Sequence, residues 1–343
     1  MGEVTIKDIA TALGMAPSTV SRALRGSYEI NEKTRKRVEQ YAQQVNYRRN
    51  TVAQNLREKR TRALGVVVPE ISNNFFSEVI NGIEDEAFTR GYQVLIFQTH
   101  ESFEREKQTV RQLYERRVDG LLISLSGKTT DIEHISRYRK EDLSVVYFDR
   151  VPEQENVDKV VVDSFEGVYR AASWMISNGM RKIALLTSPP DIYITKKRLA
   201  GYTKALEDNG IEYDETLIKY CGFEPWEAQE AMRDLIQVHQ PEGFITCADR
   251  LTIDSYEEFK RQLVQMNTPL VPFFGFTNIN VAHLLDPPIN TIVQPAYEMG
   301  GNAAKLLIDK LEYHEKKRPG RKKAPLDPIE TKLKTQLNIY IEK

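Results

Sequence analysis

Cysteine and histidine are both scarce in this chain of 343 residues, which has two cysteines and five histidines. Cys221 and Cys247 have no second pair of thiols to complete a zinc site, and two thiols make no disulfide framework. No two histidines stand four residues apart, the spacing at which one helix face presents two ligands to zinc. We therefore expect buried thiols in a reducing compartment, and neither a metal site nor a cofactor.

Long apolar runs are also absent. No stretch approaches the ~20 apolar residues that span a bilayer, and the N-terminus lacks the apolar segment of a signal peptide. Export is therefore not expected, and the sequence predicts a cytoplasmic protein with no membrane partner. The length and an apolar content of 41% allow two or three domains with sizeable cores.

Catalytic motifs are the third absence. Residues 126–129 end like a phosphate-binding loop, but Leu122 stands where that motif needs its first glycine. No glycine-rich dinucleotide fingerprint follows a strand, and no Gly-x-Ser-x-Gly elbow occurs. The sequence thus predicts a protein that is not an enzyme, because the fold class inferred below carries no activity by itself.

The net charge is close to zero, at −1, but it is unevenly distributed. Residues 1–62 contain 13 Lys and Arg against 6 Asp and Glu, whereas the rest of the chain is acidic. A basic head joined to an acidic body indicates a module that binds a polyanion.

The stretch Pro17–Leu24 reads as one short helix. Val20 and Leu24 fall at i and i+4, so we expect both to pack inward. The residues on the opposite face are Ser18, Ser21 and Arg22. A small polar face that ends in one cation fits the major groove of DNA and can hydrogen-bond to base edges. Taken alone, these eight residues fit a solvated helix face better.

The residues on either side favour a helix-turn-helix. Thr5 and Asp8 form an N-cap signal, and Gly14 supplies the left-handed residue that ends a first helix. Pro17 opens the second helix, at the position where a missing amide hydrogen costs nothing. A third helix is predicted to begin at the cap Asn31. Two helices joined by a tight turn containing glycine are typical of DNA-binding modules.

These motifs resemble the headpiece of the lactose-repressor (LacI/GalR) family of bacterial transcriptional regulators. The match runs without a gap from Thr5 to Leu56. Its positions are Thr5-Ile6-Lys7-Asp8-Ile9-Ala10, Gly14, Ser18–Leu24, Thr34-Arg35, Asn46-Tyr47, Asn50, Ala53 and Leu56. The resemblance implies a regulator that binds a palindromic operator as a dimer.

The resemblance also implies which side chains touch DNA. The residues at base-reading positions are Pro17, Ser18 and Arg22. The residues at positions that mostly touch the DNA backbone are Thr5, Thr19, Ser21, Asn31, Thr34 and Tyr47. Base contacts specify the sequence, and phosphate contacts position the protein. Ala16 departs from the family, because the hydroxyl residue usual at that helix cap is missing.

The segment from Asn50 to Arg57 is predicted to be a hinge helix. Asn50 can cap it, but it is far shorter than the ~12–15 residues that are stable in water, so it should fold only when docked. The resemblance implies that this helix lies in the minor groove, where Leu56 wedges open a base step. The residues assigned to DNA here are Asn50, Ala53, Leu56 and Arg57. Arg49 replaces the usual proline and leaves the linker less rigid.

From residue 63 onward, continuous apolar runs alternate with amphipathic segments, which predicts a doubly wound parallel α/β sheet. The length exceeds one such sheet, so we predict an all-α headpiece and a body of two α/β subdomains. The predicted divisions are a headpiece at 1–48, a hinge and linker at 49–62, and an effector-binding and dimerisation body at 63–343. Within the body, we assign about 63–162 and 292–324 to an N-subdomain, and about 163–291 and 325–343 to a C-subdomain.

The body also resembles this family, which shares the fold of periplasmic sugar-binding proteins. The shared traits are Phe148-Asp149-Arg150, Arg198–Tyr202, and Pro288–Ile292 followed by Gln294-Pro295. Ligands of such sheets bind beyond the carboxyl ends of the strands. The candidate effector-binding residues are Phe76, Asp149, Arg198, Phe223, Asp249 and Thr277. Two alternatives stay open, a core ring for Phe76 and a surface salt bridge for Arg198.

Two features leave open the identity of the ligand and the role of one basic segment. Thr277 stands where the family usually has an aspartate that contacts effector. The ligand therefore lacks the hydroxyl pattern of simple hexoses, or the pocket uses another acceptor. The basic run Lys316–Lys323 fits a solvated loop better than a secondary DNA contact.

The sequence as a whole predicts a ligand-responsive repressor in the bacterial cytoplasm, associated with the nucleoid. It would bind a palindromic operator on double-stranded DNA as a homodimer, and a sugar or sugar derivative between the subdomains would switch it. A dimer is expected because no tetramerising heptad tail is present. The competing hypothesis is a sugar-binding or sugar-processing protein whose N-terminal segment is incidental.

Overall fold

The computed structural model describes residues 4–24, 26–47, 60–153, 156–266, 270–317 and 327–340, with the backbone alone for residue 266 and residues 315–317. The chain divides into two compact units, Met1–Arg60 and Thr61–Lys343. The first unit is called the headpiece below, and the second is called the body.

The described part of the headpiece contains the helices α1 (Ile6–Leu13), α2 (Pro17–Leu24) and α3 (Glu32–Gln44). Helix α1 begins at a capping box, in which Thr5 Oγ1 accepts from the Asp8 amide and the Asp8 carboxylate accepts from the Thr5 amide. Gly14 ends this helix at φ +63°. Helix α3 begins at Asn31, whose Oδ1 accepts from the Thr34 amide at 2.8 Å. The caps predicted from the sequence are confirmed.

Small and branched apolar side chains form the core of the headpiece. Val20 is fully buried, as predicted, whereas Leu24 is only partly buried and Ala23 is fully buried instead. The innermost pair on α2 is therefore i and i+3, which is the other spacing that places two side chains on one helix face. The buried core residues are Ile9, Ala10, Val20, Ala23, Val38 and Ala42.

Two sheets of six strands each make up the described part of the body. The strands are β1 (Ala63–Val68), β2 (Gln93–Gln98), β3 (Gly120–Ile123), β4 (Ser144–Phe148), β5 (Asp158–Val162), β6 (Ile183–Thr187), β7 (Ile218–Tyr220), β8 (Gly243–Thr246), β9 (Phe273–Gly275), β10 (Asn290–Val293), β11 (Glu330–Leu333) and β12 (Gln336–Asn338).

Helices follow most strands and cover both faces of each sheet. They are α4 (Asn74–Thr89), α5 (Phe103–Glu115), α6 (Glu133–Lys140), α7 (Ser164–Ser177), α8 (Tyr193–Asp208), α9 (Pro225–Asp234), α10 (Asp249–Met266) and α11 (Ala296–Lys317). A π-type turn, Leu235–His239, continues α9. Within the described residues, none of these helices is both long enough and apolar enough to cross a membrane.

The strand order confirms the predicted doubly wound architecture. The first sheet runs β11-β5-β4-β3-β1-β2, and the second runs β12-β10-β9-β8-β6-β7. Neighbours pair in parallel, except that β12 lies antiparallel to β10. Central strands such as β3 and β6 are buried along their whole length, because helices shield both faces.

The chain crosses between the sheets three times, at places that differ in part from the prediction. The first crossing follows Val162, as expected. The second follows Val293 rather than residue 291, because β10 belongs to the second sheet. The third lies between Leu333 and Gln336 rather than near 325. Our assignment of 325–343 to the C-subdomain is therefore wrong for β11, which pairs with β5 and links Glu330 to Lys159 at 3.1 Å.

Each sheet and the helices packed on it are called a half of the body below. Helices α4 and α11 cross at very close range in the half that contains the first sheet. A Cβ atom added to Gly82 would stand 2.0 Å from the Tyr297 carbonyl oxygen, and one added to Gly300 would stand 2.0 Å from the Val79 carbonyl oxygen. Both obstacles are backbone atoms, so neither can move aside alone. The two glycines therefore permit a helix contact that any side chain would prevent.

Candidate functional site

The exposed face of α2 contains the residues predicted to read DNA. Pro17, Ser18 and Arg22 are exposed, and Thr19 and Ser21 are half-buried. Arg22 Nη1 lies 3.0 Å from a carboxylate oxygen of Glu29, and both side chains remain about half exposed. Ala16 precedes the helix and has no side-chain oxygen to cap it, and its carbonyl accepts from the Thr19 and Val20 amides. The polar face is thus accessible, with its one cation held by a neighbouring carboxylate.

Among the other residues predicted to touch the DNA backbone, Thr5 lies at the start of α1, Asn31 at the start of α3, and Tyr47 after the end of α3. Thr5 and Asn31 are exposed, but their side-chain oxygens accept hydrogen bonds from the starts of α1 and α3. Tyr47 packs against the headpiece core and is half-buried. The hinge residues assigned to DNA lie outside the described residues. These residues are Asn50, Ala53, Leu56 and Arg57.

Tyr28 is a candidate that sequence analysis missed. Its ring is 95% exposed in the turn between α2 and α3. A tyrosine exposed to this extent leaves an apolar ring with a polar tip in water, which is common at surfaces that bind partners. Gly26, a turn residue readable in the sequence, lies two positions before it and has a positive φ (+69°). Tyr28 is therefore an additional candidate for contact with DNA.

A cavity of about 280 Å³ lies in the body where the carboxyl ends of β4 and β5 meet the start of α8. This is the edge at which parallel sheets bind ligands. Asp149 is the one sequence-predicted residue in its wall. The other polar and aromatic residues of the wall are Asp163, Ser164, Phe165, Tyr193, Lys197, Glu330 and Lys332.

Arg198 is a buried cation, only 5% exposed. One Nη donates to the Cys247 carbonyl, the other lies 3.3 Å from Gln294 Oε1, and its Nε has no partner. The guanidinium stands 4.2 Å from the centre of the Phe276 ring. No described carboxylate forms an ion pair with it, and burial lowers the pKa of this guanidinium. The surface salt bridge considered for Arg198 is absent.

Asp149 is a buried carboxyl group without an ion pair among the described residues. Its backbone is left-handed, with φ +56°, a conformation that aspartate tolerates better than most residues. Burial raises the pKa of Asp149, while the charges of Arg150 and Arg198 and a hydrogen bond from Ser124 oppose that rise. Arg150 itself is engaged elsewhere, since its Nη1 lies 2.7 Å from Glu101.

Thr277 and Asp249 form a hydrogen-bonded pair at the carboxyl end of the second sheet. The Thr277 hydroxyl donates to the Asp249 carboxylate, which also accepts from the Asn278 amide. Burial raises the pKa of Asp249. An aspartate at 277 would place two carboxylates in contact, so threonine leaves a single carboxylate in this loop. Asp249 therefore supplies the carboxylate acceptor that the usual aspartate at position 277 would provide.

The two predicted rings lie apart from the cavity wall. Phe223 packs on Gly127, where an added Cβ would stand 1.9 Å from Phe223 Cζ, and it lies 5.5 Å from the Arg150 guanidinium. Phe76 is 3% exposed and stacks edge-on against Phe75 in the core of the first sheet. Its placement agrees with the alternative of a core ring.

Several polar contacts that sequence analysis missed join the two halves of the body. Asn278 Nδ2 donates to Glu78 at 2.8 Å, and Arg250 Nη1 lies 3.8 Å from Glu70. Lys196 pairs with Glu153. Phe223 on Gly127 adds an apolar contact between the same two halves. Contacts between residues this far apart in the chain leave no pattern among neighbouring residues from which they could be predicted.

The two thiols are buried and protonated. Burial raises the pKa of Cys221 to about 12 and that of Cys247 to about 11. Neither group is therefore a nucleophile near neutral pH. Among the described residues, no cluster of His, Cys, Asp and Glu could hold a metal ion.

Two family models match this chain. The one described as bacterial regulatory proteins, lacI family, matches residues 5–50. The one described as periplasmic binding proteins and sugar binding domain of LacI family matches residues 61–332. Together they cover both the headpiece and the body.

Curated relatives of similar length are repressors. The chain is 30% identical over 316 residues to the HTH-type transcriptional repressor PurR of Vibrio atlanticus (strain LGP32), which covers 91% of this chain and 94% of that protein. It is 31% identical over 309 residues to the HTH-type transcriptional repressor CytR of Escherichia coli (strain K12), which covers 90% of each.

Two solved structures are similar to this chain over nearly its whole length. A complex of the transcriptional regulator CelR with cellobiose has a TM-score of 0.70 at 26% identity and covers 98% of this chain and 99% of that one. A lac repressor dimer bound to operator and the anti-inducer ONPF has a TM-score of 0.81 at 20% identity and covers 98% of each, which shows a shared fold. The family models and the relatives together show that this chain belongs to the LacI family of DNA-binding transcriptional repressors, with a ligand-binding body.

Proposed function

We propose that this repressor binds a palindromic operator as a homodimer and is switched by a sugar or sugar derivative bound between the two sheets. The proposal that a ligand binds between the sheets rests on two buried residues, Asp149 and Arg198. Both groups are buried, and neither forms an ion pair with a described residue, although each has hydrogen-bond partners. A buried charge without an ion pair is costly, and a ligand that contacts both groups would reduce that cost.

DNase footprinting with the full chain tests this function. We expect protection of a palindromic site at moderate salt, and a changed affinity when a suitable sugar is added. If no palindrome is protected with or without sugars, the repressor proposal fails. The chain is then better described as a sugar-binding protein whose headpiece is incidental.

Operator recognition is assigned to the exposed face of α2. Arg22 is its only cation, and arginine is the side chain that pairs best with guanine in the major groove. Ser18 can bond to several bases, and Pro17 offers apolar contact alone. Selectivity therefore also depends on the spacing of two half-sites in a dimer.

Arg22→Ala is expected to weaken operator binding about 100-fold, because a dimer loses one bidentate base contact, worth ~1–3 kcal/mol, in each half-site. Gel-shift titration against operator and scrambled DNA measures this loss. Binding to the scrambled duplex should fall much less. Equal losses on both duplexes would show that Arg22 contacts a phosphate and not a base.

A second copy of this chain is the proposed occupant of an apolar surface on the body. Phe88 on α4 is 81% exposed, and Ile96 is exposed on β2, the edge strand of the first sheet. On the other half, Trp226, Val281 and Leu284 are exposed. Large exposed apolar side chains of this kind mark interaction surfaces. A two-fold dimer would also match the symmetry of a palindrome.

Phe88→Glu is expected to convert the dimer to a monomer, because it places a charge in the proposed apolar interface while leaving the folded chain intact. Light scattering after gel filtration at micromolar concentration measures the molar mass. Val238→Glu is the control, since Val238 is also apolar and largely exposed but lies in the turn after α9. A Phe88→Glu protein that remains dimeric rules out this surface.

Switching requires two arrangements of the halves that differ in ligand affinity. The contacts that join them, including Glu78 with Asn278 and Glu70 with Arg250, are candidates for what changes. A changed angle between the halves would favour or disfavour the hinge helices at the operator centre. The hinge helix predicted from the sequence, whose residues lie outside the described part of the chain, would suit a switch because a helix of that length is not stable alone.

A further inference from the structure

One wall of the 280 Å³ cavity is formed by the start of α8, which is a helix of 16 residues. Tyr193 is its first residue, and no side chain caps it. The Thr195 and Lys196 amides donate to the Ile192 carbonyl, which leaves the Tyr193 and Ile194 amides without partners in the helix. Such terminal amides carry partial positive charge. The wall therefore favours a negatively charged group.

Two hydroxyl groups near this wall have no hydrogen-bond partner among the described residues. Ser164 lines the cavity, is 4% exposed, and its Oγ is unpaired. Thr195, in the first turn of α8, is 1% exposed, and its Oγ1 is unpaired. Buried hydroxyls are almost always satisfied. Because Ser164 lines the cavity, a ligand there would supply the acceptor that its Oγ lacks among the described residues.

The charged residues of the wall leave one lysine unpaired. Lys332 lies 2.6 Å from Asp163, and Glu330 lies 3.1 Å from Lys159, so these charges offset one another. Lys197 has no described carboxylate within 4.0 Å of its Nζ, which stands 5.2 Å from the centre of the Tyr193 ring. Asp149 is the one lining carboxylate without an ion pair among described residues. The cavity thus has a cationic end, at Lys197 and the α8 amides, and a separate carboxyl group.

We propose that the effector is an acidic monosaccharide, whose carboxylate or phosphate binds at the start of α8 and whose hydroxyls bind Asp149. This inference rests on the proposed function and specifies the ligand class of the same site. The anionic group would accept hydrogen bonds from Ser164 and the α8 amides and would face Lys197. The cavity volume is near the lower end of the ~300–1,000 Å³ typical of small-molecule sites, which suits one sugar ring.

The test uses the full chain with matched probes, namely glucose and galactose, their uronates and their 6-phosphates. Thermal shift and calorimetry measure binding, and the two acid series separate a carboxylate from a phosphate. We expect one acid series to raise the Tm at concentrations at which its neutral parent does not. Neutral sugars that bind as well as their acids would overturn the inference and leave the sugar-effector proposal standing. If neither acid series binds, the inference also fails, and the sugar-effector proposal falls with it only if the neutral sugars fail too.

Two variants locate the anionic group. Lys197→Met and Ser164→Ala should each weaken binding of the acidic sugar about tenfold or more, because each removes a donor to a charged group. Lys204→Met is the matched control, since Lys204 lies on the same helix but outside the cavity wall, and it is paired with Asp208. Wild-type affinity for the acidic sugar in both site variants would exclude this wall as the anion site.

Discussion

Gly300→Ala is expected to destabilise the body by about 3 kcal/mol, which lowers the Tm by roughly 5–10 °C. The added methyl would stand 2.0 Å from the Val79 carbonyl oxygen, so α4 and α11 must separate along their contact. The buried side chains between these helices and the first sheet would lose packing as a result. Calorimetry of the purified full chain measures the change.

The next residue provides the control. A Cβ added to Gly301 would stand 3.7 Å from the Gly82 carbonyl oxygen, an ordinary van der Waals distance. Gly301→Ala should therefore stabilise the helix by about 0.5–1 kcal/mol, because alanine loses less conformational entropy than glycine on folding. If the two variants have the same stability, the close crossing of the helices does not exist in solution.

Arg198→Met is the second large effect, and it is expected to abolish the response to effector while operator binding persists. Methionine can still pack on Phe276, but it cannot donate a charged hydrogen bond to a ligand. We expect effector affinity to fall about 100-fold, the typical worth of contacts to a charged group. Stability should change little, because the lost cation is buried without an ion pair among described residues.

Calorimetry with the effector, together with gel shifts in its presence and absence, measures both properties. Arg170→Met is the control, because Arg170 is exposed on α7 and should leave binding unchanged. Unchanged effector affinity in Arg198→Met would remove Arg198 from the site. Loss of operator binding in the absence of effector would instead show that Arg198 acts on the fold.

Local signals explain why much of the fold was predictable. The capping pair Thr5 and Asp8, the left-handed Gly14 and the cap Asn31 each act within four residues, so the headpiece helices could be located in advance. Alternating apolar and amphipathic segments likewise predicted two α/β halves. These features depend on neighbours in the sequence.

Edge strands and long-range contacts could not be predicted in this way. The segment Glu330–Leu333 is polar and short, and only its pairing with β5 assigns it to the first sheet. The contact of Glu78 with Asn278 joins residues 200 positions apart. The site shows the same limit, since Arg198 was identified by its motif, whereas Ser164 and Lys197 depend on tertiary folding.

The ion pair of Arg22 with Glu29 has a consequence for how the repressor distinguishes its operator from other DNA sites. If Arg22 reads a guanine as proposed, a bidentate contact that uses Nη1 would displace Glu29, and exposed pairs of this kind are worth up to ~1 kcal/mol. A guanine held in bidentate fashion would outweigh that cost, whereas a passing phosphate would do so only weakly. On this proposal, Glu29 would compete mainly against the vast excess of wrong sites, and it would increase the ratio of operator binding to random binding rather than the operator affinity itself.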